Sequence, residues 1–295
     1  MKYRKIQVIS LSFQNKSANE ILPLVESEAQ KGCDIIILPE MWMGDKYIED
    51  ISGENSGITA QLQNIAKTYG VYIINSTYRR TETVPRLNSG VLIGRDGEIV
   101  GIYDKNYPYW SEYDLTPPVC PGTDAPVFET DFGRVGIAVC FDANFPNVWE
   151  RLAENGADIV FWTSAYSGGS SLQAHAINHH YYIVSSTWCN DCAVIDITGK
   201  EIYYQKTTDG VNISRIEIDM NRAIFHENFN MGISSKLERL LEEHPEITVE
   251  THMEREQWFV LKSEDESENS QVREIAAQYG MEELRAYKRR SRSKG

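Results

Sequence analysis

The sequence lacks several features that would place the protein in a particular class at once. It contains no run of about 18 uninterrupted apolar residues, so no membrane-spanning helix is expected. Basic residues are outnumbered, because 29 lysines and arginines stand against 43 aspartates and glutamates, a formal net charge of -14. The negative charge argues against a general affinity for nucleic acid or for an anionic membrane, both of which favour basic faces. Small molecules are therefore the expected partners.

Cysteine usage excludes a second class. The sequence has five cysteines, an odd number without regular spacing, so a disulfide framework is not expected and the thiols fit a reducing compartment. The first ten residues, MKYRKIQVIS, carry charges followed directly by a short alternating strand instead of the apolar run of a signal peptide. We therefore expect a cytoplasmic protein.

Strand and helix patterns alternate through most of the chain. Residues 35–38 form a continuous apolar run, which is typical of a strand buried on both faces. Ser17 and Glu20 have the spacing of a capping box and predict the start of a helix that Gly32 ends. Asp96 and Gly97 predict a hairpin. Further strands are predicted at residues 5–13, 71–76, 135–139, 158–163, 181–186, 191–197 and 211–218, and further helices at residues 58–69, 149–152 and 170–179. The alternation indicates the α/β class.

Beyond about residue 220 the composition changes. Residues 237–243 and 271–289 predict charged amphipathic helices, and the acidic run 263–270 between them is a predicted surface linker. We expect residues 1–220 to form a single domain and residues 221–295 a C-terminal helical extension. The basic C-terminus, RAYKRRSRSKG, is predicted to be either a solvated tail or a segment that packs on an acidic surface of a partner subunit.

A cysteine stands at the end of one predicted strand, in the segment DFGRVGIAVCFDANFP (131–146). The alternating residues 135–139 lead to Cys140, which is followed by a turn. In a nucleophile elbow a rigid strand presents the nucleophile in this way, and backbone N–H groups at the turn face a developing oxyanion. A buried structural thiol is the alternative, because free cysteine behaves as a small hydrophobic residue.

Two charged residues occupy comparable positions. Glu40 ends the apolar strand and Lys105 ends the hairpin strand, and the gaps from Glu40 to Lys105 and from Lys105 to Cys140 are about 65 and 35 positions. Sheets of the α/β class place ligand sites at strand ends, so the three are expected to lie together. A carboxylate in a dry pocket can accept the thiol proton, and a lysine can stabilise the oxyanion while the thiolate attacks.

The three segments resemble motifs of the nitrilase superfamily of carbon–nitrogen hydrolases. They read ILPEMW around Glu40, YDKNYP around Lys105 and VGIAVCFDANFP around Cys140, in the order that the family has. The likeness covers about residues 5–220, and HENFNMG and GMEELRAYKRRSR resemble the C-terminal extension of some members. The resemblance implies a four-layer α-β-β-α sandwich that forms homodimers through helices beside the cysteine and often assembles further.

The resemblance also implies the role of each residue. Glu40 is the general base, Cys140 the nucleophile and Lys105 the electrostatic stabiliser, and Glu112 matches a second glutamate that positions the substrate. The implied reaction is two-step acyl transfer, in which Lys105 and the backbone N–H of Phe141 hold the oxyanion, ammonia or an amine leaves, and water hydrolyses the thioester. It requires neither a metal nor an organic cofactor.

The sequence departs from the family's patterns in three ways. Many amidase-type members follow the cysteine with Tyr-Asp-x-Arg-Phe-Pro, whereas residues 141–146 read FDANFP, so that Asn144 replaces a cation and an anionic substrate is less expected. Many relatives have Arg-Ala-x-Glu-Asn on the later helix, whereas residues 175–179 read HAINH, which leaves the subfamily open. The Trp-Glu pair that follows the cysteine in true nitrilases is absent. Amide or N-carbamoyl substrates are therefore favoured, and a nitrilase that acts on a C≡N group is the alternative.

Aromatic and polar residues near these motifs are the candidate substrate-binding residues. They are Phe141, Asp142, Asn144, Tyr109, Trp110, Trp162 and Tyr166. Together with Glu112, the aromatic rings suit a cationic amine. The alternative is that the aromatic residues belong to the core or to an interface.

A rival hypothesis comes from Cys189 and Cys192, which form a C-x-x-C motif. His175, His179 and His180 precede it, with the first two on one helical face, and a zinc or redox site could be built from these residues. No second C-x-x-C exists, and the motif begins a strand, so this metal-binding or redox hypothesis ranks second and no metal site is assigned. A catalytically silent binding protein is disfavoured because all three catalytic residue types are intact.

Overall fold

The structure is a computed structural model that describes residues 2–51, 57–267 and 270–292. Residues 268–269 of the predicted linker and the last three residues of the basic C-terminus, 293–295, lie outside the described residues.

The described residues form sixteen strands and eight α-helices. The strands are β1 (Lys5–Ser12), β2 (Ile35–Ile37), β3 (Ile48–Glu49), β4 (Tyr72–Arg79), β5 (Leu87–Ile93), β6 (Ile99–Asp104), β7 (Val127–Glu129), β8 (Arg134–Val139), β9 (Ile159–Ser164), β10 (Tyr182–Thr187), β11 (Asp191–Ile195), β12 (Glu201–Lys206), β13 (Asn212–Asp219), β14 (Ala223–His226), β15 (Ile247–Met253) and β16 (Trp258–Ser263). The helices are α1 (Ala18–Gln30), α2 (Ile58–Tyr69), α3 (Trp110–Tyr113), α4 (Pro146–Glu154), α5 (Ser170–His179), α6 (Ile233–Glu243), α7 (Val272–Gln278) and α8 (Leu284–Arg292).

The chain forms two compact units. The first consists of Gln7–Phe128 and Arg134–Glu217, and the second of Met1–Ile6, Glu129–Gly133 and Ile218–Gly295. The division into a domain of residues 1–220 and an extension that packs on a partner subunit stays a prediction.

Two mixed sheets make up most of the first unit. One has the strand order β13-β1-β2-β4-β5-β6, with β3 beside β4, and the other has the order β12-β11-β10-β9-β8-β7. Strands β1, β2 and β4 pair in parallel, and so do β8, β9 and β10. Parallel neighbours end at the same edge of their sheet, so each sheet gathers several strand ends at one edge.

The two sheets pack face to face. Ser10 Oγ on β1 donates to the carbonyl of Ser185 on β10 at 2.8 Å, and a Cβ at Gly90 would lie only 2.5 Å from Ile137 of the facing sheet. Helices α1 and α2 pack on the outer face of the first sheet, and α4 and α5 contact the second. The predicted α/β class and four-layer α-β-β-α sandwich are therefore confirmed.

Burial explains why the local sequence patterns predicted these elements well. All three residues of β2 are fully buried, as its continuous apolar run indicated. Glu20 Oε2 accepts hydrogen bonds from both N and Oγ of Ser17 at 2.9 Å, which is the predicted start of α1. Helices α2 and α5 begin and end at the predicted residues.

The second unit contains a sheet that the sequence patterns did not predict. Its strand order is β14-β16-β15, and all pairs are antiparallel. Strand β15 is half exposed and has few apolar residues, so its alternation is weak. The helix predicted at residues 271–289 is interrupted, since Gly280 has φ +68 and lies between α7 and α8.

None of the helices in the described part of the chain combines the length and the apolar character that a bilayer-spanning segment needs.

Candidate active site

Glu40, Lys105, Cys140 and Glu112 line one cavity of about 420 Å³. Glu40 follows β2, Lys105 follows β6, and Cys140 follows β8 at the start of a short 3-10 turn. Two sheets thus contribute to the cavity, because β2 and β6 belong to the first sheet and β8 to the second. The structure brings together the residues that the three motifs predicted.

A buried ammonium group joins the two carboxylates. Lys105 Nζ lies 2.8 Å from Glu40 Oε1 and 2.6 Å from Glu112 Oε2. Asn88 Nδ2 donates to Oε1 of both glutamates, at 2.8 Å in each case. All four side chains are buried. The trio of one lysine and two glutamates carries a formal charge of -1 inside the protein.

The charge of Lys105 is stabilised by these neighbours. Burial by itself would lower the pKa of the ammonium group, but the negative charges of Glu40 and Glu112 contribute to raising that pKa well above its usual value. Lys105 therefore remains a cation that can face a developing negative charge.

Cys140 lies at a strained position. Its φ is +46, in the left-handed region that non-glycine residues seldom adopt. Burial raises the pKa of its thiol, and the carboxylate of Glu40 raises it further, against the opposing effects of Lys105 and the Ala165 backbone N–H. The thiol is therefore protonated at neutral pH and needs a base, and Glu40 is the carboxylate whose charge acts on it most strongly.

Asp142 holds the turn that carries Cys140. Its Oδ2 accepts hydrogen bonds from Tyr103 Oη at 2.6 Å and from the backbone N of Val139 at 3.0 Å, and its Oδ1 accepts one from the backbone N of Tyr107 at 3.0 Å. Complete burial raises the pKa of this carboxyl to about 6, although the hydrogen bonds and Lys105 act in the other direction. Asp142 thus connects β8, β6 and the loop that follows Lys105.

Glu112 reaches Lys105 from the short helix α3. Its Oε2 also accepts a hydrogen bond from the backbone N of Tyr109, at 2.7 Å, which caps that helix. Its Oε1 accepts one from Tyr78 Oη at 3.2 Å. These contacts hold the loop against the cavity.

Four of the predicted substrate-binding residues line the cavity, namely Tyr109, Phe141, Asn144 and Tyr166. The rings of Tyr109 and Phe141 meet edge to face with centroids 5.2 Å apart. Asn144 Nδ2 donates to the carbonyl of Phe141 at 3.2 Å and to Tyr166 Oη at 3.3 Å.

The other three predicted substrate-binding residues do not line this cavity. Asp142 is fully buried, and both of its oxygens accept hydrogen bonds from the protein. Trp162 is fully buried in β9 with its indole directed to the backbone of Cys140. Trp110 is 65% exposed. Sequence proximity to a motif was a poor guide here, because neighbours on a strand or a helix face different directions.

Sequence reasoning missed three lining residues, Met41, Ser111 and Ala165. It also missed Asn88 and Tyr78, which bind the carboxylates and lie opposite each other on β5 and β4. Asn88 could have been found by the criterion that identified Glu40, since it is a polar residue at one end of a buried strand.

Two of the histidines proposed for a metal or redox site lie within hydrogen-bond distance of backbone carbonyls. The Nε2 of His175 lies 2.9 Å from the carbonyl of Ala143, and its ring stacks on Trp149. The Nδ1 of His180 lies 3.0 Å from the carbonyl of Ile197. Within residues 2–51, 57–267 and 270–292, no three His, Cys, Asp or Glu side chains are grouped so that they could hold a metal ion.

Sequence comparison finds relatives among amide and carbamoyl hydrolases. The chain is 23% identical to an omega-amidase of Xenopus tropicalis over 206 residues, which are 63% of this chain and 74% of the relative. It is 28% identical to a beta-ureidopropionase of Arabidopsis thaliana over 65% of this chain and 50% of the relative. It is 31% identical to an N-carbamoylputrescine amidase of Arabidopsis thaliana over 55% of this chain and 59% of the relative.

Solved structures show the same fold. Nit3 of Saccharomyces cerevisiae, a member of the nitrilase superfamily, superposes with a TM-score of 0.63 at 16% identity, over 74% of this chain and 91% of that one. An amidase from Nesterenkonia sp. superposes with a TM-score of 0.61 at 18% identity, over 74% of this chain and 91% of that one.

The sequence profile of the family described as carbon-nitrogen hydrolase matches residues 12–224, which include Glu40, Lys105 and Cys140. The match covers well over half of the chain. The protein therefore belongs to the carbon–nitrogen hydrolase family and is an enzyme of that class.

Proposed function

We propose that the protein is a cysteine-dependent hydrolase that cleaves a non-peptide C–N bond of a small amide or N-carbamoyl compound through a thioester. The observation that carries the proposal is the buried ammonium group of Lys105 between Glu40 and Glu112, in the cavity that Cys140 also lines. A buried cluster of this kind is expensive to fold, and perturbed groups in a cavity are typical of functional sites.

In the first half of the reaction Glu40 takes the thiol proton while Sγ of Cys140 bonds to the carbonyl carbon. The carbonyl oxygen becomes an oxyanion, which the ammonium group of Lys105 and the backbone N–H of Phe141 stabilise. The C–N bond then breaks, the leaving nitrogen takes the proton from Glu40, and a thioester remains on Cys140. Ammonia or an amine departs.

In the second half water attacks the thioester carbon. Glu40 takes a proton from the water, the same groups stabilise the second oxyanion, and the thiol leaves with the proton from Glu40. The acid product departs and the enzyme returns to its starting state. Glu112 positions Lys105 and the substrate in both halves. No cofactor takes part in these steps.

The walls of the cavity favour a neutral or cationic substrate. Among the lining residues that the structure describes, Lys105 is the one cation, and both glutamates bind it. A substrate carboxylate would therefore lack a counter-ion, whereas the rings of Tyr109, Phe141 and Tyr166 suit an alkyl chain or a cation. A volume of about 420 Å³ fits a small molecule. The amidase and carbamoyl relatives support amide or carbamoyl substrates over nitriles.

Ammonia release from four substrate classes tests the proposal. The classes are N-carbamoyl amines, N-carbamoyl amino acids, ω-amides and nitriles, each assayed with the wild type, Cys140→Ala and Cys189→Ala. Turnover should fall by at least about 1,000-fold in Cys140→Ala and stay unchanged in Cys189→Ala. Mass spectrometry of the quenched wild-type reaction should show an acyl group on Cys140.

Full ammonia release by a folded Cys140→Ala variant would overturn the proposal. Turnover restricted to nitriles would instead support the nitrilase alternative. Loss of activity in Cys189→Ala, with metal in the purified protein, would favour the metal hypothesis.

We also infer that the enzyme works as a homodimer or larger homo-oligomer in the cytoplasm. Large apolar side chains are exposed on α5 and β12, at Ile177, Ile202 and Tyr204, and all five cysteines are free, as a reducing compartment would keep them. Sedimentation velocity should give at least twice the mass of one chain. A monomer at micromolar concentration would contradict this inference.

A further inference from the structure

Two tryptophans donate hydrogen bonds to the backbone carbonyls of the proposed base and nucleophile. Trp188 Nε1 lies 2.6 Å from the carbonyl oxygen of Glu40, and Trp162 Nε1 lies 3.1 Å from that of Cys140. Neither tryptophan is among the described residues that line the catalytic cavity. These two hydrogen bonds therefore act on the reaction through the backbone of Glu40 and Cys140.

The backbone at both positions is in a conformation that needs support. Met41, directly after Glu40, has φ +31, and Cys140 has φ +46. Neither is a glycine, and non-glycine residues in this region cost about 1–3 kcal/mol each unless the surrounding structure holds them there. The peptide groups at these two turns are the ones that the indoles bind.

Trp188 connects the two sheets. It follows β10 of the second sheet, and its backbone N donates to the carbonyl of Ser164, at the end of β9, at 3.0 Å. Ala165, which directly follows Ser164, donates its backbone N–H to Oε2 of Glu40 at 3.0 Å. Two residues that follow strands of the second sheet thus hold Glu40, which follows β2 of the first sheet, at both its carbonyl and its carboxylate.

Trp162 supports Cys140, the proposed nucleophile. It lies on β9, directly beside the β8 strand that leads to Cys140, and its side chain is fully buried. The hydroxyl of Tyr166 lies 3.4 Å from the same carbonyl oxygen. The ring of Tyr166 meets that of Trp162 edge to face.

We propose that Trp188 and Trp162 are positioning residues that fix the distance and angle between the Glu40 carboxylate and Sγ of Cys140. Trp188 does so across the two sheets and Trp162 within the second sheet. The inference rests on the proposed roles of Glu40 and Cys140, and it adds two residues that touch neither the substrate nor the reacting atoms.

The test compares Trp188→Phe and Trp162→Phe with Trp258→Phe, a control that removes a buried indole from the second unit. The two positioning variants should lose about 10- to 100-fold in kcat with KM changed less than about 2-fold, because a small misplacement of reacting groups has effects of this size. The control should keep wild-type kcat. Thermal unfolding of each variant shows whether it is folded.

Alkylation of Cys140 by iodoacetamide, followed over pH, gives a readout that a loss of stability would change in the opposite direction, because opening of the structure exposes the thiol and speeds its alkylation. At neutral pH the buried thiol depends on Glu40 to take its proton, so alkylation should be slower in both positioning variants. The difference in alkylation rate between the wild type and each variant should become smaller as the pH rises, because hydroxide then takes the proton in place of Glu40. If the variants are slower than the wild type by the same factor at all pH values, the positioning role is overturned.

If Trp188→Phe does not fold, benzothienylalanine at position 188 tests the same hydrogen bond. This residue keeps the ring size and replaces the indole N–H with sulfur. Wild-type kcat and a wild-type alkylation profile in this variant would overturn the inference. The two proposals can fail separately. Turnover by Cys140→Ala removes the proposed function, whereas wild-type behaviour of the tryptophan variants removes only the positioning role.

Discussion

Lys105 Nζ lies 2.8 Å from Oε1 of Glu40, and each of the two side chains is 1% exposed. Removing two charges from water costs more than their attraction commonly returns, so a buried ion pair is weak evidence of a contribution to stability. Glu112 adds a second carboxylate 2.6 Å from the same nitrogen. The arrangement agrees with the proposed mechanism, which needs a cation and a base in one cavity.

Replacing Lys105 with methionine should leave two carboxylates buried without their counter-ion. We expect the free energy of unfolding to fall by about 3–5 kcal/mol, as for other buried pairs that lose one partner, and activity to disappear. Urea denaturation at pH 7 measures the change. The double variant Lys105→Met/Glu112→Gln, which removes one of the two charges, should regain part of the lost stability. A single variant as stable as the wild type would contradict this account of the cluster.

The Asp142 carboxyl should give stability a specific pH dependence. Its pKa is raised by burial from 3.8 to about 6, so folding favours the protonated form. The contribution to stability is fully present below pH 3.8 and is lost as the pH rises through about 6, a change of about 3 kcal/mol. Asp142→Asn does not titrate. The difference in unfolding free energy, wild type minus variant, should therefore decrease between pH 4 and pH 6, and a constant difference would show that the pKa is not raised.

Asn144 should control the preference for substrate charge. It lines the cavity at a position where no described lining residue supplies an unpaired cation. Asn144→Arg should raise kcat/KM by about 2- to 10-fold for a substrate with a carboxylate and lower it for one with an amine, because guanidinium groups pair with carboxylates even at partly exposed sites. Asn144→Gln is the matched control and should leave kcat/KM unchanged for both substrates. Equal effects on both substrates would place this side chain outside the binding region.

Arg86 should be replaceable without loss of stability. Its side chain is 4% exposed, and within the part of the chain that the structure describes its Nε and Nη1 have no hydrogen-bond partner. The guanidinium group lies over the ring of Tyr78, 5.1 Å from the centroid. Arg86→Met removes a buried charge and keeps an extended apolar side chain, so the free energy of unfolding should stay constant or rise by about 1–2 kcal/mol.

The control for this substitution is Arg86→Lys, which keeps the charge and should be no more stable than the wild type. Thermal and urea unfolding measure both variants. A loss of more than about 1 kcal/mol in Arg86→Met would show that the guanidinium group has a stabilising partner.

Local patterns predicted the elements that depend on local interactions. The capping box of Ser17 and the Asp96-Gly97 hairpin are present, since each is decided by residues close together in the chain. The same holds for Glu40, Lys105 and Cys140, which could be identified because each lies in a contiguous motif at the end of a strand. The weakly alternating strand β15 could not be predicted, since its place depends on pairing with β16.

The sequence by itself determined the fold class, the family and the three motif residues, because periodicity and motifs are properties of short segments. Only the tertiary structure decided which side chains reach the cavity and which support it. The backbone N–H of Ala165 binds Glu40 across 125 positions of sequence, and the indole of Trp188 does so across 148. Contacts of this length depend on how two sheets pack against each other, and side-chain packing between distant strands leaves no periodic signal in either segment.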